Sequence, residues 1–140
     1  MAEPPHVIAT DPGRGGLQLL MEVGPARFVA DEPVEVGGLD LGPTPHDLVG
    51  AGLAACTAQT MRLYAQRKGW PLGKVRVEVI HSRHASESPH DRFDRRIELG
   101  GDLDDEQRAR LLEIAEMCPV HRMLTAGAKI VTTAVAPVGA

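Results

Sequence analysis

Residues 44–69 read TPHDLVGAGLAACTAQTMRLYAQRKG and contain the strongest helix signal in the chain. Thr44 is a good N-cap, Pro45 suits the first helical position, and Asp47 stands where a capping box places an acid. Gly69 ends the pattern, and the Trp-Pro pair that follows it prevents continuation. The sequence therefore predicts a helix over residues 45–68, about 36 Å long.

The first half of this helix, from Leu48 to Cys56, is apolar on every side and rich in glycine and alanine. A helix without a polar face is normally buried all round. A chain of 140 residues offers few ways to wrap such a helix completely, whereas its small side chains allow another backbone to approach closely. We therefore expect a homodimer in which the second subunit covers the helix. The second half, from Met61 to Lys68, is amphipathic.

Alternating hydrophobic residues predict strands before and after the helix. Residues 17–23 alternate, Gly24 and Pro25 interrupt the pattern, and it resumes at Phe28, which predicts a hairpin. After the helix, residues 75–80 and 93–99 predict two antiparallel strands joined by a polar loop over 81–91.

The C-terminal part predicts two helices and a strand. Asp102 or Asp104 caps a helix that Pro119 ends, and Pro119 also suits the first position of a short helix with Cys118 as its N-cap. The β-branched residues of 129–135 predict a last strand. The sequence thus predicts a single α+β domain over residues 1–140, with the element order ββ(β)αββααβ.

Composition excludes several classes of function. Lys and Arg total 15 against 19 Asp and Glu, the net charge is −4, and aromatic residues make up 3%, so no nucleic-acid partner is expected. The longest apolar stretch, residues 48–58, is too short to cross a bilayer, so no membrane association is expected. The N-terminus lacks the basic and apolar regions of a secretory signal, which predicts a cytoplasmic location.

The two cysteines are the main candidates for chemistry. In a reducing compartment such a pair is more often free, catalytic or metal-bound than a structural disulfide. Cys118 stands where the free N–H groups of a helix start point at its sulfur, which lowers the thiol pKa. The alternative interpretation is that Cys118 is unreactive and only packs as a small buried hydrophobic residue. Cys56 lies inside an apolar helix, where it is a packing residue unless an arginine reaches it.

Other polar clusters have simpler explanations. The Cys118-x-x-His121 spacing, together with Cys56, could build a three-ligand zinc site, although one such pair is weak evidence. His81, His84 and His90 share a polar loop and are expected to be solvated. The arginines at 92, 95 and 96 need no ligand to explain them.

Several motifs resemble the OsmC/Ohr family of thiol-dependent peroxidases. The stretch GPTPHDLVGAGLAACT (42–57) and the later CPVHRML (118–124) carry the resemblance. ADEP (30–33), YAQRKGWPL (64–72) and GDLDDEQRARLL (101–112) extend it over most of residues 28–133. The resemblance implies an OsmC-like α+β fold, with antiparallel sheets packed around a long central helix in an intertwined homodimer.

The resemblance also implies a chemistry. Cys56 would attack an organic hydroperoxide and become a sulfenic acid, and Cys118 would resolve it as a disulfide. An arginine activates the first cysteine in the family, for which Arg14 is the first choice here and Arg27 the second. His46 occupies the position, ten residues before Cys56, where the peroxidases of the family hold this arginine with a glutamate. No cofactor or metal is implied; the reductant would be an external dithiol, for example one of the lipoyl type.

Two other functions remain open from the sequence. The first is a non-catalytic redox sensor, or a protein that binds an apolar ligand in an interfacial pocket, with Cys56 and Cys118 as a slow switch. The second is a structural protein stabilised by zinc.

Overall fold

The computed structural model describes residues 6–136 of the chain. Their elements follow the order βββαββαα. The strands are β1 (Val7–Thr10), β2 (Leu19–Val23), β3 (Ala26–Ala30), β4 (Leu72–Arg83) and β5 (Asp91–Gly101), and the helices are α1 (Pro45–Lys68), α2 (Asp105–Ala115) and α3 (Pro119–Ala126). A single 3-10 turn, Val34–Val36, lies between β3 and α1.

Helix α1 begins and ends where the sequence predicts. The Thr44 backbone N–H donates to Asp47 Oδ2 (3.0 Å), and the Asp47 N–H donates in return to Thr44 Oγ1 (3.1 Å), which forms the expected capping box. At the other end Gly69 adopts φ +68°, a left-handed conformation that favours glycine, and the Trp70 N–H donates to the Ala65 carbonyl (2.9 Å). In the part of the chain described, no helix is both long and apolar enough to cross a membrane.

The described strands form two antiparallel sheets. β1, β2 and β3 form a meander in which Met21 pairs with both Ala9 and Phe28, and β4 pairs with β5. The chain divides into two compact units. Among the described residues, the first unit contains 6–54 together with Glu78–Arg96, and the second contains Ala55–Val77 and 97–136.

The second unit has a hydrophobic core built by α1, α2 and the base of the β4–β5 hairpin. Met61 and Leu111 are completely buried at its centre. Helix α2 is held by a capping box in which Asp104, one of the two predicted caps, accepts from the Gln107 N–H (2.7 Å). The core comprises Met61, Ala65, Leu72, Leu103, Leu111 and Ala115, with Tyr64, Trp70, Val75, Val77, Ile97 and Leu99 packed against them.

The first unit contains a buried carboxylate, Asp31, which organises the loop after β3. Asp31 is 2% exposed. Its Oδ1 accepts hydrogen bonds from Gln18 Nε2 (2.9 Å) and the Glu32 N–H (2.8 Å), and its Oδ2 accepts from the N–H groups of Leu39 (3.0 Å) and Leu41 (3.1 Å). Burial raises the pKa of Asp31, but these hydrogen bonds outweigh burial and lower it below its ordinary value. The side chain is therefore an ionised acceptor of four hydrogen bonds.

Replacing Asp31 by asparagine is expected to destabilise the fold, because an amide NH₂ would then face backbone N–H donors. We expect the Tm at neutral pH to fall by roughly 5 °C or more. The stabilisation of the wild type should be complete above the pKa that Asp31 has in the unfolded chain. It should be lost as the pH falls through the lowered pKa that Asp31 has in the folded protein. Thermal unfolding of both proteins at neutral and acid pH tests this, and a constant difference in Tm between them would contradict it.

Two predicted elements are wrong. Residues 129–135 form no strand, and Ile130, Val131 and Val135 are 87%, 75% and 84% exposed. The reason is that β propensity produces a strand only where a neighbouring backbone satisfies its hydrogen bonds, and these residues have no such neighbour among those described. The predicted 81–91 loop is also too long, because β4 continues to Arg83 and β5 begins at Asp91.

One face of α1 is not buried within the chain. Val49 is 40% exposed, and Gly52 and Ala55 are exposed as well. Complete burial of the apolar half was expected, and a single chain does not provide it. The second subunit expected to cover this face stays a prediction.

Candidate functional site

Both cysteines lie in the second unit and have free thiols. Cys56 is on α1, and Cys118 is the N-cap of α3, with Pro119 as the first helical residue. A tight turn after α2 positions Cys118, since its N–H donates to the Ala115 carbonyl (3.3 Å). The Cys56 side chain hydrogen-bonds to the Cys118 sulfur. The structure therefore brings together two thiols that are 62 residues apart in the sequence.

The Cys118 sulfur is fully buried but well supplied with hydrogen-bond donors. It accepts from the His121 backbone N–H (3.4 Å) and from Thr57 Oγ1 (3.9 Å). Burial alone raises the pKa of the Cys118 thiol, but the hydrogen bond from Cys56 and those from backbone and hydroxyl groups lower it below its ordinary value. The predicted N-cap position of Cys118 is confirmed, and backbone N–H groups at the start of α3 contribute to the lowered pKa after the Cys56 side chain.

Cys56 is the more accessible of the two sulfurs. It is partly exposed, whereas Cys118 is 0% exposed. Its Sγ lies 4.0 Å from the hydroxyl of Thr60, one turn further along α1. A small molecule that reaches this pair therefore meets Cys56 first.

The two candidate arginines lie in the first unit. Arg14 is exposed in the segment between β1 and β2. The Arg27 guanidinium donates to the carbonyls of Gly24 (2.9 Å) and Ala26 (3.0 Å) and forms an ion pair with Glu22 (3.4 Å). The predicted site residues are thus divided between the units, with Arg14, Arg27 and His46 in the first and the cysteines in the second.

The zinc site considered for Cys118 and His121 finds no support in the geometry. His121 Nε2 lies 3.3 Å from Glu116 Oε2, an ion pair when the imidazole is protonated. Within residues 6–136, the potential metal ligands that cluster in a group of three are instead His46, His81 and Asp91. All three belong to the first unit.

His46 and His81 stack on each other. Their ring centroids are 4.5 Å apart, with an angle of 7° between the ring planes. His81 Nε2 and Asp91 Oδ1 are 2.9 Å apart, and this hydrogen bond is the main cause of the lowered pKa of Asp91. Phe93 also contacts the His81 ring, at 5.0 Å between centroids.

A cavity of about 160 Å³ adjoins the histidine pair. Its walls come from the first three turns of α1 and from β4, and they are His46, Asp47, Gly50, Ala51, Ala54, Val79 and His81. Glycine and alanine side chains leave this space open. The cavity thus combines small apolar residues with two imidazoles and the Asp47 carboxylate.

The sequence interpretation missed this cluster, although a signal for it existed. His81 continues the alternation of Val75, Val77 and Val79, and Asp91 continues that of Phe93 in the other direction. Side chains two residues apart on a strand share a face. Extending both strands by this rule would have taken His81 out of the loop and placed Asp91 on the face of Phe93.

One family model matches most of the chain, and several solved structures share its fold. The profile of the OsmC-like protein family matches residues 37–133. An OsmC-like protein from Mycoplasma pneumoniae superposes with a TM-score of 0.71 at 19% identity, covering 89% of this chain and 89% of that chain. Two organic hydroperoxide resistance proteins each superpose with a TM-score of 0.65. The Legionella pneumophila protein is 22% identical, and the match covers 89% of this chain and 90% of that chain. The Elizabethkingia anophelis protein is 21% identical, and the match covers 87% of this chain and 88% of that chain. No curated protein matches the chain significantly. These similarities confirm the predicted α+β fold.

Proposed function

The chain belongs to the OsmC-like protein family, and on that basis we propose that it is a cysteine-based peroxidase that reduces organic hydroperoxides. The observation that carries the proposal is the pair of free thiols, with a reachable Cys56 hydrogen-bonded to a buried Cys118. Structural neighbours called organic hydroperoxide resistance proteins support the same class of substrate.

The reaction needs no redox group besides the two sulfurs. The Cys56 thiolate attacks the peroxide, an S–O bond forms as the O–O bond breaks, and the alcohol leaves after taking a proton. Cys118 then attacks the resulting sulfenic acid, an S–S bond forms, and water leaves. An external dithiol, for example one of the lipoyl type, restores both thiols by exchange and becomes a disulfide itself.

Cys118 has a second role in this scheme, as the proton acceptor for Cys56. The lowered pKa of Cys118 favours a thiolate in the buried position, where it accepts a hydrogen bond from the Cys56 side chain. Transfer of that one proton to Cys118 leaves the thiolate on the accessible sulfur. Cys118 thus acts as the general base for the attack by Cys56.

Arg14 is the better candidate for the activating arginine, because the Arg27 guanidinium is engaged by Glu22 and two carbonyls. We expect Arg14→Ala to lower the rate constant for peroxide roughly a hundredfold, the usual cost of losing one charge-stabilising donor. Stopped-flow measurement of the thiol oxidation rate tests this. Arg92→Ala, which removes an exposed arginine paired with Asp94, is the matched control. A large loss in Arg27→Ala with none in Arg14→Ala would reverse the assignment.

The proposal predicts that one equivalent of cumene hydroperoxide converts both thiols into a single Cys56–Cys118 disulfide. Thiol counting and peptide mass mapping of protein treated with a chelator measure this directly. Steady-state turnover with excess dithiol then separates an enzyme from a redox sensor that is oxidised once. Survival of both thiols in excess peroxide would contradict the proposed chemistry, as would disulfides formed only between chains.

A further inference from the structure

His46, His81 and Asp91 form a compact set of metal-binding groups that the peroxidase chemistry does not use. One ligand atom from each residue lies within 4.8 Å of the other two. They come from separate elements, since His46 is in the first turn of α1, His81 is on β4 and Asp91 begins β5. His81 Nε2 and Asp91 Oδ1 are 2.9 Å apart. This distance is about that between two atoms that bind the same metal ion. Adjacent ligands about 2.0–2.1 Å from a metal are about 3 Å from each other.

We propose that His46, His81 and Asp91 bind one divalent transition-metal ion, of which Zn²⁺ is the representative, at the edge of the α1–β4 cavity. The ion takes the place of the hydrogen bond between His81 Nε2 and Asp91 Oδ1, and the neutral imidazole keeps its single proton on Nδ1. His46 completes the set when its ring turns from the stacked position and its nitrogen approaches the ion. His46 is exposed to solvent.

The donor set decides the class of ion. Two imidazoles and one carboxylate suit zinc, cobalt, nickel and ferrous iron, whereas magnesium and calcium prefer oxygen ligands alone. Three protein ligands leave at least one coordination position open for water or a small ligand. The cavity beside the histidines provides space for it, because Gly50, Ala51 and Ala54 leave that side of the site without large side chains.

Two positive groups oppose a cation here, and two carboxylates offset them. The N-terminus of α1 carries a partial positive charge, and Arg83 interacts electrostatically with Asp91. Asp91 is a ligand, and Asp47 lines the same cavity while also capping the helix. These charges nearly cancel without the ion, so the bound ion leaves a net positive charge that an anion in the open coordination position would offset.

The test uses untagged protein in which Cys56→Ser and Cys118→Ser remove both thiols, so that no thiol competes for metal. Titration calorimetry with ZnCl₂ should show one equivalent bound. Co²⁺ should give a visible spectrum with d–d bands and no thiolate charge-transfer band. His46→Gln, His81→Gln and Asp91→Asn should each weaken binding about tenfold or more.

The matched control is His90→Gln, which changes a histidine of the same hairpin outside the cluster and should leave binding unchanged. Circular dichroism verifies that each variant folds. Binding that is equally tight in His46→Gln and His81→Gln would overturn the proposal, and so would a site that His90→Gln abolishes. Because the thiols are absent throughout, the result does not depend on the proposed peroxidase activity.

Discussion

Cys56→Ser is expected to abolish the consumption of organic hydroperoxide. The accessible sulfur is the one that can meet the substrate, and Cys118, at 0% exposure, cannot replace it without a rearrangement of α3. A serine hydroxyl is not ionised near neutral pH and does not attack peroxide at a comparable rate. Peroxide loss should fall to the level of the buffer alone, measured by a colorimetric assay over many equivalents of substrate.

Cys118→Ser should behave differently, with a single turnover that stops at sulfenic acid. A trapping reagent for sulfenic acid and intact-protein mass spectrometry should detect one modified Cys56 per chain. The single turnover should also be slower than in the wild type, because the variant lacks the low-pKa thiol that accepts the Cys56 proton.

The reverse pattern is the decisive contrary result. If Cys56→Ser still consumes one equivalent while Cys118→Ser does not react, Cys118 is the nucleophile. The lowered pKa of Cys118 would then matter more than accessibility.

Gly52→Arg is expected to disrupt a homodimer while leaving a single chain unharmed. Gly52 is exposed on α1, and a Cβ at this position would meet no atom within 4 Å. In an isolated chain the substitution should stabilise the helix by about 0.5–1 kcal/mol, because glycine is a poor helix former. If α1 packs against a second subunit, an arginine there inserts a charge and a long side chain into a close helix contact.

Sedimentation at low micromolar concentration distinguishes these cases. We expect a dimer for the wild type and monomer or unfolded protein for Gly52→Arg, with a loss of Tm. Gln66→Arg, on the exposed second half of the same helix, is the control and should remain a dimer. A Gly52→Arg protein with a raised Tm and an unchanged mass would show that this face of α1 has no partner.

The sequence alone could predict those parts of the site that depend on residues close to each other along the chain. The Thr44–Asp47 box and Cys118 at the start of α3 follow from side chains that bond to backbone groups within three positions. The resemblance paired Cys56 with Cys118, and the structure places the two thiols in hydrogen-bonding contact. The ion pair between Arg27 and Glu22 depends on the pairing of β2 with β3 and was not predicted.

The sequence by itself determined the position and limits of α1, the capped starts of α2 and α3, and the membership of the OsmC-like family. These features rest on local backbone chemistry and on motifs, which are independent of distant contacts. Only the tertiary structure decided that residues 129–135 are not a strand and that His46, His81 and Asp91 cluster. A strand needs a partner backbone, and a cluster needs side chains from distant elements, so neither is specified by a single stretch of chain.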